Sequence, residues 1–153
     1  MSNELTTAPT LVAYNTAVDL VEIRSNPALY PRISATPQDE AVKKMIPMVY
    51  AAFLYRGQDT TAEKVRFIAT ALVNEILADY RFGLRSLSWV EIGMVIRNAV
   101  LGGARELYGI SVATIYSALI DYAKGEGHEA AKQAHARPEP LPPVQNEEDN
   151  FPF

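Results

Sequence analysis

Leu87-Ser88-Trp89-Val90-Glu91-Ile92-Gly93-Met94-Val95-Ile96-Arg97-Asn98-Ala99-Val100 is the stretch whose reading decides the fold class. Ser88 and Glu91 stand at capping-box spacing, where a hydroxyl and a carboxylate three residues apart satisfy each other's free backbone N–H groups. Leu87 and Ile92 sit where a hydrophobic staple would close over that cap. Trp89, Ile92, Val95, Ile96, Ala99 and Val100 then recur every three or four residues, the period of one buried helix face. Gly102-Gly103 end the pattern.

Upstream the same logic repeats. Thr60 and Glu63 are spaced as a second capping box, and Val65, Ile68, Leu72, Ile76 and Tyr80 keep one face apolar, which predicts a helix to about Arg81 before Gly83. Before it, Thr36 as cap, Pro37 at the first helical position, and Asp39 and Glu40 in the first turn predict a helix to about Arg56, stopped by Gly57. Pro47 is expected to kink or divide it. Leu11, Tyr14, Val18 and Val21 give a first helix over residues 10–24, and Pro27, Pro31 and Pro37 punctuate an extended connector.

Downstream, a short element at residues 104–108 precedes Gly109, and Ser111 caps a helix from Val112 to about Lys124. Residues 128–137 are Ala-rich and could extend as a frayed helix, but they have no clear apolar face. No stretch alternates strongly enough for a strand. The expectation is an all-α domain of about six helices over residues 10–127, after a loose N-terminus at 1–9. An Ala/Pro-rich linker at 128–145 and an acidic tip at 146–153 complete the chain.

Composition narrows the function classes. At 153 residues the chain suits one domain with a real core. It has no cysteine, which removes disulfides, thiolate metal sites and cysteine nucleophiles. No apolar run approaches the roughly 18 residues of a membrane span, and the polar start is no signal peptide, so the cytoplasm is the expected location without membrane association. The chain holds 14 basic and 18 acidic residues; Glu139, Glu147, Glu148 and Asp149 follow Arg137, with no Lys or Arg among them. Residues 1–137 therefore balance, and a neutral body lacks the overall footprint of a strong autonomous nucleic-acid binder.

Catalytic sets are missing from the pattern. His128 and His135, seven residues apart, read as solvated rather than metal-binding. Gly102-Gly103 lacks the Lys-Ser/Thr of a phosphate loop, and no serine stands in a nucleophile elbow. Asp19, Glu22, Glu75 and Asp79 fall where solvated helix faces would put them, and the tyrosines read as core and rim. The protein is expected to be no enzyme and to need no cofactor.

Residues 104–124 form a candidate helix-turn-helix. Ala104, Tyr108, Ile110, Ile115 and Ala118 occupy the packing positions and Gly109 the turn, while Arg105 departs from the small residue usual at its place. Arg97, Arg105, Ser111, Thr114, Ser117 and Lys124 are the candidate DNA contacts. No Arg, Asn or Gln on the second helix supplies a bidentate base contact. An α-hairpin packed into a bundle fits the same residues.

From Pro27 to Tyr122 the body resembles a diverse set of small all-α proteins of phages and mobile elements, often found beside replication genes. Ala78-Asp79-Tyr80-Arg81, Leu87-Ser88-Trp89-Val90-Glu91-Ile92, residues 102–108 and residues 115–122 carry that resemblance. It implies a replication-linked role and no catalytic residues.

The ending Asn146-Glu147-Glu148-Asp149-Asn150-Phe151-Pro152-Phe153 follows the Pro-rich Arg137-Pro138-Glu139-Pro140-Leu141-Pro142-Pro143. Its form is that of a tethered peptide ligand: a partner pocket accepts the Phe153 ring, a basic side chain pairs with the terminal carboxylate, and basic rim residues attract the acids. It resembles the acidic C-terminal tip of bacterial single-stranded-DNA-binding proteins, with Glu147, Glu148, Asp149, Phe151, Pro152 and Phe153 as the matching residues. Asn150 interrupts the acids and Phe151 replaces the usual aliphatic residue. The resemblance implies recruitment of host replication, recombination and repair proteins.

Three readings follow. One is a replication or recombination accessory protein, within which an unconventional single-stranded-DNA-binding protein belongs. The others are a helix-turn-helix regulator and an α-helical adaptor without nucleic-acid contact.

Overall fold

The computed structural model describes residues 19–101 and 109–136. The described fold is all-α, with no strand among these residues. The helices are α1 (Leu20–Ser25), α2 (Gln38–Arg56), α3 (Ala62–Ala78), α4 (Trp89–Leu101), α5 (Val112–Lys124) and α6 (Glu126–Ala136). Short 3₁₀ turns at Ile33–Ala35 and Leu84–Ser86 interrupt the connectors. No described helix is long and apolar enough to cross a membrane.

The capping box at Ser88 forms as its spacing predicts. Ser88 Oγ accepts from the Glu91 backbone N–H at 3.1 Å, and Glu91 Oε1 accepts from Ser88 N–H at 2.9 Å. Every residue from Trp89 to Ile96 is buried, so α4 is enclosed rather than amphipathic. It packs against α2 and α5. Its start is pinned by the proline-rich connector: Ile33 N–H donates to Leu87 C=O at 2.9 Å and Trp89 N–H to Pro31 C=O at 3.2 Å. Trp89 Nε1 adds a bond to Thr36 Oγ1 at 3.0 Å.

That bond explains one departure. Thr36 does not cap α2; Pro37 occupies that position with no side-chain bond, and the Thr36 hydroxyl accepts from Trp89 while donating to the Arg32 carbonyl. Pro47 lies inside a continuous α2 and does not divide it. Gly57 ends that helix in the left-handed region at φ 68°, where a β-carbon would be strained. Thr61, not Thr60, caps α3 by accepting from Lys64 N–H at 3.1 Å.

The larger departures are at two helix ends. Helix α3 stops at Ala78, short of Arg81, where the Asp79 side chain captures the backbone N–H groups that follow. The chain after Gly125 then forms α6, which packs against α1 and α5 where a linker, at most a frayed helix, was expected from residue 128. Its inward residues are Gly127 and Ala130, which leave no hydrophobic stripe to read. Of the expected first helix, only the part from Leu20 is described; Asp19, exposed as expected, caps it by accepting from Val21 and Glu22 N–H. Residues 104–108 of the candidate helix-turn-helix, with Arg105, and the 146–153 tip lie outside the described residues.

Candidate nucleic-acid interface

Six residues decide the surface between α3 and α4: Asp79-Tyr80-Arg81-Phe82-Gly83-Leu84. A helix continued through Asp79 would bury Tyr80 on the apolar face that Val65, Ile68, Leu72 and Ile76 define. Instead the Asp79 side chain folds inward and takes over the backbone. Oδ1 accepts from Arg81 N–H and Phe82 N–H at 3.2 Å each, and Oδ2 from Leu84 N–H at 3.0 Å. Asp79 is 8% exposed, not a solvated carboxylate. Gly83 supplies the left-handed corner at φ 75°.

The consequence falls on the neighbours. Tyr80 is turned out to 88% exposure, contrary to its expected place in the core. Arg81 lies over the Phe82 ring at 5.0 Å from its centroid, and Lys124 of α5 approaches the same ring at 5.9 Å. Arg85 is exposed one turn on. Ring faces carry partial negative charge, so Phe82 holds two cations close together against their mutual repulsion. Tyr116 of α5 sits behind the turn; burial pushes its hydroxyl pKa up, and Asp79 and Glu75 add to that against an opposing Arg81.

An exposed aromatic ring flanked by cations is the form of a stacking platform with phosphate contacts. A base can lie on Tyr80 while Arg81, Arg85 and Lys124 reach backbone phosphates, an arrangement that tolerates any sequence because every base has a π-face. Exposed aromatics on a rigid turn cost little ordering entropy when they bind.

The predicted DNA contacts distribute unevenly. Lys124 joins this turn. Ser117 is exposed on the same face of α5, two helical turns earlier. Ser111 and Thr114 are engaged in the α5 capping box: Ser111 Oγ accepts from Thr114 N–H at 3.2 Å and Thr114 Oγ1 from Ser111 N–H at 3.0 Å. Arg97 is half-buried on α4, its Nε without a partner among the described residues. Tyr80, Arg81 and Arg85 escaped the sequence reading. The available signal was an Asp four residues before a Gly, the form of a carboxylate-held turn.

No family model matches the chain. Comparison with curated proteins and with solved structures likewise returned no match, so the site stands on its own geometry.

A second polar cluster has a structural role. Glu91 is completely buried, and its carboxylate accepts from Ser88 Oγ at 3.0 Å, Arg24 Nε at 2.7 Å and Tyr122 OH at 2.6 Å. Burial raises the Tyr122 hydroxyl pKa, and the Glu91 charge and hydrogen bond raise it further, keeping the phenol protonated as a donor. The network ties α1, α4 and α5 together with both Glu91 oxygens occupied. Among the described residues no group of three His, Asp or Glu could hold a metal.

Proposed function

We propose that the protein is a non-enzymatic DNA replication or recombination accessory protein of phage or mobile-element type. In this reading the 79–86 turn with Lys124 holds single-stranded DNA, and the 146–153 segment recruits replication and repair proteins of the host. The observation that carries the DNA half is Tyr80, presented bare two residues before Phe82, the ring that Arg81 and Lys124 approach. Sequence-independent holding suits a body with no net charge, because stacking supplies affinity that long-range electrostatics does not. The recruitment half is supported by the acidic run before Phe151-Pro152-Phe153 and its likeness to single-stranded-DNA-binding-protein tips.

The recruitment half is tested with the peptide 146–153 carrying a free carboxylate. A protein that recognises single-stranded-DNA-binding-protein tips is expected to bind it in the micromolar range. One residue added after Phe153 is expected to abolish binding, because the basic group that meets the carboxylate loses its partner. Equal binding of the extended peptide would sink the carboxylate-capture mechanism.

A further inference from the structure

Where α6 runs beside α1, the connector that follows α1 leaves a pocket of about 260 Å³ between them. Arg24 from α1, Arg32 from the connector, and Ala131, Ala134 and His135 from α6 line it. Three side chains with N–H donors, from three elements, thus face one small space, and no acidic residue among the described ones lines it.

The two arginines are fixed before any ligand arrives. Arg24 gives its Nε to Glu91 at 2.7 Å, which leaves its two Nη groups outside that bond, and its side chain is only 11% exposed. Arg32 Nη2 donates to the Arg24 carbonyl at 2.7 Å. Its Nε is buried with no partner among the described residues. One carboxylate, already shared with Ser88 and Tyr122, therefore stands against two guanidiniums. Burial pushes the Arg32 pKa below its ordinary value, the Arg24 charge lowers it further, and Glu91 opposes both. Uncompensated charge in a partly desolvated place is costly, and an anion entering the pocket offsets that cost. On α6, the Glu129 carboxylate faces Lys132 at 3.8 Å. Glu126 starts α6, roughly 14 Å along the axis from His135.

We propose that this pocket is an oxyanion site taking a phosphate group, held by Arg24, Arg32 and His135 over the methyl groups of Ala131 and Ala134. A carboxylate is satisfied by one guanidinium edge, two parallel N–H bonds. Donors converging from three elements suit a tetrahedral group with more acceptor oxygens. The pocket is also larger than a bare phosphate, so the rest of a phosphate-bearing molecule can lie over the alanines. None of these residues belongs to the Tyr80 turn or the tip, so the site stands or falls apart from the proposed function.

The test uses the full chain and two α6 variants that spare the Glu91 network. Ala134→Glu places a carboxylate where the phosphate would sit; His135→Ala removes an exposed donor. Inorganic phosphate, titrated by calorimetry at constant ionic strength against chloride, is expected to bind the unmodified protein saturably in the millimolar range. Ala134→Glu is expected to weaken it at least tenfold with an unchanged circular dichroism spectrum, and His135→Ala several-fold. Non-saturable binding by the unmodified protein, or equal binding by Ala134→Glu, would overturn the site. Thymidine monophosphate and an oligothymidylate, titrated alongside, identify the source of the phosphate. If both lose affinity in Ala134→Glu, the site takes a polynucleotide phosphate; if the monophosphate alone does, it takes that of a small molecule.

Discussion

A carboxylate that is 8% exposed has lost most of its hydration, and for Asp79 that burial acts to raise the pKa. The backbone N–H groups of Leu84, Arg81, Phe82 and Gly83 more than offset it, so the Asp79 pKa lies below the ordinary carboxylate value. A lowered folded-state pKa stabilises the protein fully above the unfolded-state value of about 3.9 and loses that contribution as pH falls through the folded value. Asp79→Asn keeps one acceptor oxygen of the two that the turn uses. It is expected to cost about 1–3 kcal/mol near neutral pH, the loss expected for hydrogen bonds to a charged group. The urea midpoints of the two proteins, followed downward in pH, should begin to converge below about pH 4 and meet only below the lowered folded-state pKa of Asp79. A gap that stayed constant to acid pH would mean that Asp79 is not ionised in the turn. This residue also marks the limit of reading the site from sequence. Tyr80 continues the apolar period of α3 perfectly well, and only a side-chain-to-backbone competition, invisible to periodicity, ejects it.

Among the elements, those with local signals were legible. Ser88 and Glu91 make their cap from residues three apart, and Gly57 stops α2 by its own conformational freedom. Thr60 and Thr61 differ by one step because adjacent threonines offer the same hydroxyl, and tertiary packing chooses between them. Helix α6 read as at most a frayed extension because smallness, not hydrophobicity, is what its buried face needs. A β-carbon on Gly127 would lie 2.8 Å from the Tyr122 ring and 3.0 Å from the Tyr122 carbonyl oxygen. The ring cannot swing aside freely, since its hydroxyl is bound to Glu91. Alanine is the better helix former by about 0.8–1 kcal/mol, but overpacking typically costs about 1–3 kcal/mol, so overpacking should win. Gly127→Ala is therefore expected to lower the melting temperature despite its higher helix propensity. In a Tyr122→Leu background, which lacks the rigid ring and has its own cost from the lost bond to Glu91, the same glycine substitution should cost less. A more stable single variant would show that α6 is held less closely than the geometry has it.

For the whole molecule, the division of charge sets how DNA binding should respond to salt. Residues 1–137 balance their 14 basic residues with 14 of the 18 acidic ones, and the other four acids all follow. If Arg81, Arg85 and Lys124 each neutralise one phosphate of a single strand, log K should fall against log salt with a slope of about −2. A duplex-reading regulator with many phosphate contacts would be far steeper. Removing residues 138–153 takes away four negative charges and no positive ones, so affinity for an oligothymidylate should rise at low salt and converge with the full chain at high salt. Stacking is not screened. Tyr80→Ala should accordingly shift the whole curve down, by about 1–3 kcal/mol for one stacked base, without changing its slope. Fluorescence anisotropy of the three proteins across a salt series separates these terms. A Tyr80→Ala curve that coincides with wild type, with the slope retained, would leave the cations as simple surface charge and remove the turn as a nucleic-acid interface.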